Sequence, residues 1–334
     1  MRIAVDAMGG DRAPAVVVQG ALQAALKCEL DVILVGDRKA VADELGHDVN
    51  GAPVTVHHCE ETILMHEAPL KALRQKKRSS IKVAFELLKS GEADAVVSAG
   101  NSGATLAAAV LTLGRLEGIE RPALIGILPG EKGPVLLTDV GANVDSRPEH
   151  LFQFGVMANA FATSCLGMEE PKIGLLSIGE ENGKGSGQVR MAYDLFQRSA
   201  LNFVGNVEGR DILTGEVQIV VCDGFVGNVA LKLGEGIVDA STRMLKRELM
   251  SSLAGRAGLW FGRRSFKKLR KKLDYAEYGG APILGVKGLG IVCHGGSSSK
   301  AIMNAVRTAA RYAEQGIPDR LSACMTGRQA PIDG

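Results

Sequence analysis

Residues 172–185 read KIGLLSIGEENGKG, an apolar run that ends in a polar, glycine-rich turn. Two more stretches repeat this arrangement, VQIVVCDGFVGNVALK at 217–232 and GIVCHGGSSSKAI at 290–302. A strand that ends in glycine and opens a helix exposes backbone N–H groups, which can receive a phosphate or a developing oxyanion. Lys184 adds a mobile positive charge to the first turn. Because such turns gather at the carboxyl ends of parallel strands, we expect all three to form one crevice.

The rest of the chain alternates strand-like runs with helical stretches, which is typical of βαβ units. The runs are mostly continuous rather than alternating in polarity, as expected for a parallel sheet covered by helices on both faces. The runs at 123–129 and 134–140 are joined by GEKG and predict an antiparallel hairpin between the parallel units. The remaining runs are RIAVDAM (2–8), DVILVGD (31–37), VTVHH (54–58), ADAVVSAG (93–100), ALIGILP (123–129) and PVLLTDV (134–140).

Composition excludes several classes of protein. The 334 residues are 46% hydrophobic and 4% aromatic, which describes a large α/β chain with enough apolar residues for an extensive core. A net charge of +2 is too small for a nucleic-acid-binding protein as a whole. Arg2, Asp6 and Asp11 argue against a signal peptide, and no apolar run is long enough to span a membrane. We therefore expect a cytoplasmic protein.

Nucleotide and metal motifs are missing from the strand ends. The segment GEENGKG at 179–185 has three residues between its first glycines and no Ser or Thr after the lysine, so it is not a phosphate-binding P-loop. The first strand runs into DAMGGDRAP rather than the dinucleotide fingerprint. The carboxylates lack the spacing of metal ligands. The sequence predicts neither a cofactor nor a metal site.

Residues 244–273 depart from the βαβ alternation. Periodic apolar positions lead to a glycine-bounded tip at 258–262, and the basic run RRSFKKLRKK follows at 263–272. This pattern predicts a protruding amphipathic helical hairpin. Apolar side chains beside clustered cations favour the surface of an anionic membrane, whereas a dimerisation hairpin is the alternative interpretation. The apolar side chains concerned are Leu245, Leu249, Leu253, Ala257, Leu259, Trp260 and Phe261.

Six stretches in this order resemble the phosphate acyltransferase family of bacterial phospholipid synthesis, and the resemblance covers nearly the whole chain. They are VDAMGGD (5–11), SAGNSGA (98–104), LTDVGANVD (137–145), SIGEENGKG (177–185), CDGFVGNVALK (222–232) and GVKGLGIVCHGGSSSKAI (285–302).

The resemblance implies an enzyme that moves a fatty acyl group from acyl carrier protein to inorganic phosphate. The product would be an acyl phosphate, the donor for a downstream glycerol-phosphate acyltransferase. The implied fold is a three-layer α/β/α domain with a mostly parallel sheet, similar to isocitrate and isopropylmalate dehydrogenases and to phosphotransacetylases. We expect one catalytic domain over residues 1–334, a homodimer, and peripheral attachment to the inner face of the membrane.

Phosphate is already an anionic nucleophile at neutral pH, so the site must mainly hold it against the thioester and stabilise the oxyanion. Lys184 is our candidate for that contact, and Asn228 for orienting the carbonyl or phosphate. An exposed loop lysine and a helix cap are the respective alternatives. His294 is a candidate acid for the departing thiol, although a structural histidine is the simpler interpretation. Cys222 could form an acyl-enzyme, but a buried apolar role is simpler and favours direct displacement.

The remaining candidates bind phosphate or support the site from a second layer. The proposed phosphate ligands lie in glycine-rich turns or at helix starts, where capping is the alternative role. The basic cluster Lys71–Arg78 is either a solvated helix face or a docking surface for an acidic carrier protein. The proposed phosphate-binding residues are Asn101, Ser102, Gly103, Gly183, Gly185, Gly227, Gly295 and Ser297, and the supporting ones are Asp6, Asp139, Asn143 and Asp223.

Three other functions compete with this prediction. A short-chain phosphotransacylase would use coenzyme A thioesters instead of carrier-bound acyl chains. A decarboxylating dehydrogenase on the same fold is disfavoured by the missing cofactor and metal patterns. A membrane-associated organiser of lipid enzymes would bind vesicles without cleaving thioesters.

Overall fold

The computed structural model describes residues 1–46 and 51–325. These residues form a sheet of eleven strands. The strands are β1 (Arg2–Asp6), β2 (Asp31–Gly36), β3 (Val54–His58), β4 (Ala95–Ser98), β5 (Ala123–Pro129), β6 (Pro134–Thr138), β7 (Ile173–Leu176), β8 (Phe203–Val207), β9 (Ile219–Val221), β10 (Ala281–Leu284) and β11 (Gly290–Val292).

Twelve α-helices lie among the described residues. They are α1 (Ala15–Cys28), α2 (Arg38–Leu45), α3 (Pro69–Gln75), α4 (Ser80–Ser90), α5 (Ser102–Leu113), α6 (Pro148–Leu166), α7 (Gly187–Gln197), α8 (Gly224–Met250), α9 (Leu253–Phe261), α10 (Arg263–Leu273), α11 (Ser299–Glu314) and α12 (Ile317–Met325), together with short 3-10 helices at Asp211–Leu213 and Tyr275–Glu277.

The sheet has the strand order β3-β2-β1-β4-β11-β10-β5-β6-β9-β7-β8. Seven of its strand pairs are parallel, whereas β11–β10, β10–β5 and β5–β6 are antiparallel. The predicted mostly parallel sheet and the hairpin of β5 and β6 are therefore confirmed. Three successive antiparallel pairings reverse the strand direction, so β6, β9, β7 and β8 run opposite to β1, β4 and β11.

The core has two apolar layers, one on each face of the sheet. Successive residues of β1 point to opposite faces, so Ile3 and Val5 join one buried cluster and Ala4 joins the other. Helices α1, α6, α7, α11 and α12 cover the first face, and α3, α4, α5 and part of α8 cover the second. This confirms the predicted three-layer α/β/α arrangement.

Nine strands lie within the nine apolar runs recognised in the sequence, whereas β8 and β10 were not predicted. Strand β8 has the sequence FVGNV, in which Gly205 has a positive φ of 104° and Asn206 is polar. Strand β10 is only four residues long and contains Pro282. Neither pattern resembles the long buried runs of the other strands.

The segment 244–273, for which a helical hairpin was predicted, contains the end of α8 and the helices α9 and α10. Asp223 caps α8 by accepting hydrogen bonds from the N–H groups of Phe225 and Val226, so this helix begins twenty residues before Met244. The chain then turns at Ser251–Ser252 and again at Gly262. The apolar tip residues thus lie inside the separate helix α9 rather than in a turn. Within 1–46 and 51–325, no helix is both long enough and apolar enough to cross a bilayer.

Candidate functional site

The glycine-rich turns form two groups at opposite edges of the sheet, rather than the single strand-end crevice that we expected. The turns after β6, β9 and β7 are neighbours because these strands pair in that order, about 4.8 Å apart. The turns after β1, β4 and β11 are neighbours at the other edge. The reversal of strand direction between β11 and β6 causes this separation, which the sequence did not indicate.

Asp139 anchors the turn after β6. Its fully buried carboxylate accepts hydrogen bonds from the N–H groups of Leu124 (2.9 Å), Ala142 (3.1 Å) and Asn143 (2.6 Å), and from Nδ2 of Asn143 (3.0 Å). Nδ2 of Asn143 also donates to the carbonyl of Pro122 at 2.8 Å. Burial raises the pKa of Asp139, and these hydrogen bonds oppose the rise. The contacts hold residues 139–143 in one conformation.

The first turn of α8 rests on that rigid segment through its glycines. A Cβ on Gly227 would lie 1.9 Å from the carbonyl oxygen of Asp139. A Cβ on Gly224 would lie 2.7 Å from the carbonyl oxygen of Asn143, which already accepts the N–H of Gly224 at 2.8 Å. Only glycine permits this backbone-to-backbone approach. The N–H of Gly227 donates to the carbonyl of Asp223 inside the helix, so this N–H is not free for phosphate.

Asn228 is the next residue of α8, and its Cβ and amide carbon lie about 3.6 Å from the position that a Cβ on Gly141 would occupy. The interpretation of Asn228 as a helix cap is wrong, because Asp223 occupies the cap position. Asn228 is half-buried, and its amide has no hydrogen bond to any residue that the structure describes. An amide held beside a strand end without a partner is available to a ligand.

The turn after β7 presents Lys184 to solvent between two glycines. Gly183 and Gly185 have φ values of 93° and 100°, a region that favours glycine. The N–H of Lys184 donates to the carbonyl of Glu181 at 3.1 Å, and the start of the Lys184 side chain lies against Gly179. Within the described residues the ammonium group has no ion-pair partner. The amides of Gly183 and Gly185 remain available for an anion.

Cys222 lies at the end of β9, beneath these turns. Its thiol is buried and donates a weak hydrogen bond to the carbonyl of Asp139 at 3.6 Å. Burial raises the pKa of this thiol well above its ordinary value, and the carboxylates of Asp139 and Asp223 add to the rise. Since the thiolate is the reactive form, this environment is unsuited to a nucleophile.

At the opposite edge, Asp6 holds the turns after β1 and β4 together. Its buried carboxylate accepts a 2.7 Å hydrogen bond from the hydroxyl of Ser98, which in turn accepts the N–H of Gly100. A Cβ on Gly9 would lie 2.5 Å from this carboxylate and 2.7 Å from the amide of Gly100. Burial raises the pKa of Asp6 against the opposing hydrogen bonds from Ser80 and Ser98.

The turn after β11 is tied to the turn after β1. The N–H of Asp11 donates to the carbonyl of Gly295 at 2.9 Å, and the Arg12 guanidinium donates to the carbonyls of Gly296 and Ser297. The N–H of Ser297 bonds to the carbonyl of His294, so it is not free for phosphate. Arg12 was not among the predicted residues, since an isolated arginine after a turn carries no recognisable pattern.

Asn101 is the cap of α5, as one of its two proposed roles required. Its Oδ1 accepts the N–H of Ala104 at 3.1 Å, and its Nδ2 donates to the carbonyls of Met65 and Glu67 at 3.0 Å. The side-chain amide is therefore fully used within the protein. The N–H groups of Ser102 and Gly103, in the first turn of the helix, have no partner within it and point outward from its positive end.

Helix α8 connects the two edges of the sheet. Glu235 follows Asn228 by seven residues, or about 10 Å along the helix. Burial raises the pKa of Glu235, and the nearby His294 opposes that rise. His294 is exposed, and its Nδ1 accepts the N–H of Gly296 at 3.1 Å. The structure thus brings His294 toward the middle of α8, while Asn228 and Lys184 lie toward its beginning. Sequence patterns gave no indication of Glu235, which was not a candidate.

Among the described residues, no three His, Cys, Asp or Glu side chains are grouped so that they could hold a metal ion. The arrangement offers a lysine, an unpaired amide and free backbone N–H groups, which are suited to binding an anion and stabilising an oxyanion.

Known structures share this fold. A EutD phosphotransacetylase from Staphylococcus aureus matches with a TM-score of 0.61 at 18% identity, covering 94% of each chain. A phosphotransacetylase from Streptococcus pyogenes matches with a TM-score of 0.61 at 21% identity and the same coverage. A 4-hydroxythreonine-4-phosphate dehydrogenase from Klebsiella pneumoniae follows with a TM-score of 0.55 at 14% identity, covering 93% of this chain and 99% of its own. At such identities, the likeness concerns the fold alone.

Sequence comparison goes further. Residues 1–320 match the family described as "Fatty acid synthesis protein". A phosphate acyltransferase of Nitratidesulfovibrio vulgaris is 54% identical over 321 residues, covering 96% of this chain and 93% of the relative. A phosphate acyltransferase of Geobacter sulfurreducens is 51% identical over 326 residues, covering 97% and 94%. The chain therefore belongs to this fatty acid synthesis family, as an enzyme of the phosphate acyltransferase type.

Proposed function

We propose that this enzyme transfers a fatty acyl group from the thioester of acyl carrier protein to inorganic phosphate. The acyl phosphate product would serve a downstream glycerol-phosphate acyltransferase. The observation that carries this proposal is the pair of unpartnered groups at neighbouring strand ends, the Lys184 ammonium and the Asn228 amide. Free backbone N–H groups of Gly183 and Gly185 flank the lysine. This combination binds an anion without supplying a nucleophile of its own.

The proposed reaction is a direct displacement. A phosphate oxygen attacks the thioester carbonyl carbon, the C–S bond breaks, and the carrier protein leaves as a thiolate that takes up a proton. Lys184 would neutralise part of the phosphate charge, and Asn228 would donate to the carbonyl oxygen as its negative charge develops. His294 is the proposed donor of the thiol proton. The buried thiol of Cys222 supports a route without an acyl-enzyme.

Further contacts to substrate are proposed at the opposite edge of the sheet, in the turns after β4 and β11. The free N–H groups of Ser102 and Gly103 at the start of α5 and the turn at Gly295 are suited to an anionic group, including the phosphate of a carrier protein's prosthetic arm. Pro69, which begins α3, lies close to Gly103. Helix α3 and the residues after it form the basic cluster Lys71–Arg78, a surface of the charge that an acidic carrier protein would complement.

Release of free thiol from palmitoyl acyl carrier protein, with and without phosphate, tests the reaction. Hydroxylamine trapping of the product identifies acyl phosphate. We expect Lys184→Ala to lower the phosphate-dependent rate by about 100- to 1,000-fold, as loss of one charge-stabilising donor does elsewhere. Lys172→Ala is the matched control, because Lys172 is also exposed and precedes the opposite end of β7.

Each outcome of this experiment has a distinct meaning. Thiol release that does not depend on phosphate would contradict acyl transfer and indicate thioester hydrolysis. Much faster turnover of acetyl or butyryl coenzyme A than of the carrier-bound substrate would favour the short-chain phosphotransacylase. Equal losses in Lys184→Ala and Lys172→Ala would remove Lys184 from the site.

Membrane contact is proposed for α9 and α10. The side chains of Leu253, Trp260 and Phe261 are 83%, 63% and 79% exposed, and the Arg263 guanidinium lies 5.9 Å from the Trp260 ring centre. Exposed apolar groups beside cations favour an anionic bilayer surface. Replacing Leu259, Trp260 and Phe261 by Ser should reduce sedimentation with phosphatidylglycerol vesicles and leave activity in solution largely intact. Unchanged vesicle binding with lost activity would contradict this assignment and favour a role in the active site or in dimerisation.

A homodimer is proposed on a separate observation. Helix α8 exposes an apolar row along one side, which a second copy of the chain would cover. Sedimentation equilibrium measures the resulting mass directly, and a monomer at micromolar concentration would contradict it. The large exposed apolar residues of α8 are Phe225, Val226, Val229, Leu233, Ile237, Met244, Leu245 and Met250.

A further inference from the structure

An apolar groove of about 780 Å³ runs beside α8. Its walls include Leu128 at the end of β5, Leu176 at the end of β7, Ile212 in a 3-10 helix, and Ala230 and Val238 on α8. We propose that this groove holds the acyl chain of the substrate and that residues along α8 set the longest chain accepted. The inference rests on the proposed function, since it assigns a place to the chain whose thioester is attacked.

One end of the groove opens at the candidate site. Ser177, the first residue of the turn that carries Lys184, lines the groove together with Phe225 and Val226 from the first turn of α8. Asn228 follows Val226 by two residues, so it faces another side of α8 and does not line the groove. The contact between the groove and the site is therefore Ser177, and in our proposal the acyl chain of a thioester held at the Lys184 turn enters the groove past this residue. A groove that did not reach the anion site could not receive the chain of a thioester attacked there.

The length of the groove suits a long chain. Its lining residues on α8 extend from Phe225 to Arg243, which is about 27 Å of helix. A chain of tetrahedral carbons advances about 1.2 Å per bond, like the polypeptide backbone, so sixteen carbons extend about 18 Å. Charged side chains appear only in the second half of the lining, beginning at Glu235 and ending near Asp274. The first part of the groove is the part that favours methylene groups.

The volume of the groove suits a small-molecule ligand. A volume of about 780 Å³ lies within the range of pockets that enclose small molecules, about 300–1,000 Å³. Leu128 and Ile212 are buried members of the core beneath the groove. A second copy of the chain is the competing occupant, because five exposed apolar residues of α8 also line the groove: Phe225, Val226, Val229, Leu233 and Ile237. The exposed residues Met244, Leu245 and Met250 lie outside it.

A series of tryptophan substitutions along α8 tests the proposal. Ala230→Trp, Val238→Trp and Thr242→Trp fill the groove at increasing distances from the site. The first two positions are about 12 Å apart along the helix, which corresponds to about ten carbons of chain. Leu245→Trp is the matched control on the same helix, because Leu245 is exposed and outside the groove.

Turnover is measured with carrier-bound chains of four to eighteen carbons. We expect the longest accepted chain to shorten in the order Thr242, Val238, Ala230, with affinity falling about fourfold for each methylene kept out of the groove. Four-carbon substrates should be turned over at similar rates by all variants. Leu245→Trp should keep the chain-length profile of the unmodified enzyme.

Binding of the fluorescent fatty acid cis-parinaric acid provides a readout that does not need catalysis. Displacement of the probe from the unmodified enzyme by palmitate, and its loss in Ala230→Trp, would support the groove even if phosphate dependence failed. A uniform loss at every chain length, with a changed mass in sedimentation, would overturn the proposal in favour of a second copy. An unchanged profile in all three folded variants would overturn it outright.

Discussion

Gly227→Ala isolates the contact that fixes the beginning of α8. The added Cβ would lie 1.9 Å from the carbonyl oxygen of Asp139 and 2.9 Å from the sulfur of Cys222. The first distance is about 1.5 Å shorter than the 3.4 Å at which ordinary contact begins. Asp139 cannot move aside easily, because its carboxylate accepts four hydrogen bonds from residues 124–143. The helix must therefore shift.

We expect a loss of about 3 kcal/mol in the free energy of unfolding, at the upper end of the range for overpacking. This is a large part of the roughly 5–15 kcal/mol that stabilises a typical domain. Phosphate-dependent thioester cleavage should fall as well, since Asn228 is displaced with the helix. Urea unfolding followed by circular dichroism measures the stability.

Gly236→Ala is the matched control, because Gly236 lies in the same helix and a Cβ there would meet nothing within 4 Å. Alanine should stabilise that position by about 0.5–1 kcal/mol through its higher helix propensity. If both variants changed stability in the same direction and by similar amounts, the steric explanation for Gly227 would be refuted.

Three further predictions concern the buried acid, the buried thiol and the free amide. Because burial raises the pKa of Asp6 above its ordinary 3.8, the folded state binds the proton more tightly, so its contribution favours folding at low pH and declines as the pH rises above 3.8. Asp6→Asn should reduce the fall in unfolding free energy between about pH 4 and pH 7; an equal fall in both proteins would contradict this. Cys222→Ala should retain most of the phosphate-dependent activity, and its complete loss in a folded variant would instead indicate an acyl-enzyme. Asn228→Ala should lower kcat by about 100-fold or more with little change in stability, since its amide has no internal partner; a loss of stability with normal kcat would assign Asn228 a structural role.

The sequence was sufficient for the local structure of the strands but not for their directions. Continuous apolar runs such as RIAVD and DVILVG identify buried strands because the burial of both faces leaves no alternation in polarity. Strand β10 pairs with β11, which follows it closely in the chain, but its pairing with β5 joins residues more than 150 positions apart. No local pattern in APIL encodes these partners, so the separation of the turns at two edges could not be predicted.

In the candidate site, too, the features set by local sequence could be predicted, and those set by distant contacts could not. The glycine pattern around Lys184 correctly indicated an exposed turn, and the apolar run before Asp223 indicated a helix start. The steric role of Gly227 could not be predicted, because the atom that it approaches belongs to Asp139, 88 positions earlier in the chain. The nearness of Glu235 to His294 likewise depends on the direction of α8 across the sheet.

The contact of Gly227 with Asp139 gives α8 a fixed pivot near its first residue. Met250, at the other end of the helix, is 23 residues away, or about 35 Å. A tilt of about 5° around the pivot would move that end by about 3 Å, while Asn228, one residue from the pivot, would hardly be displaced. A change in the position of α9 that came from such a tilt would therefore leave the geometry around Asn228 nearly unchanged.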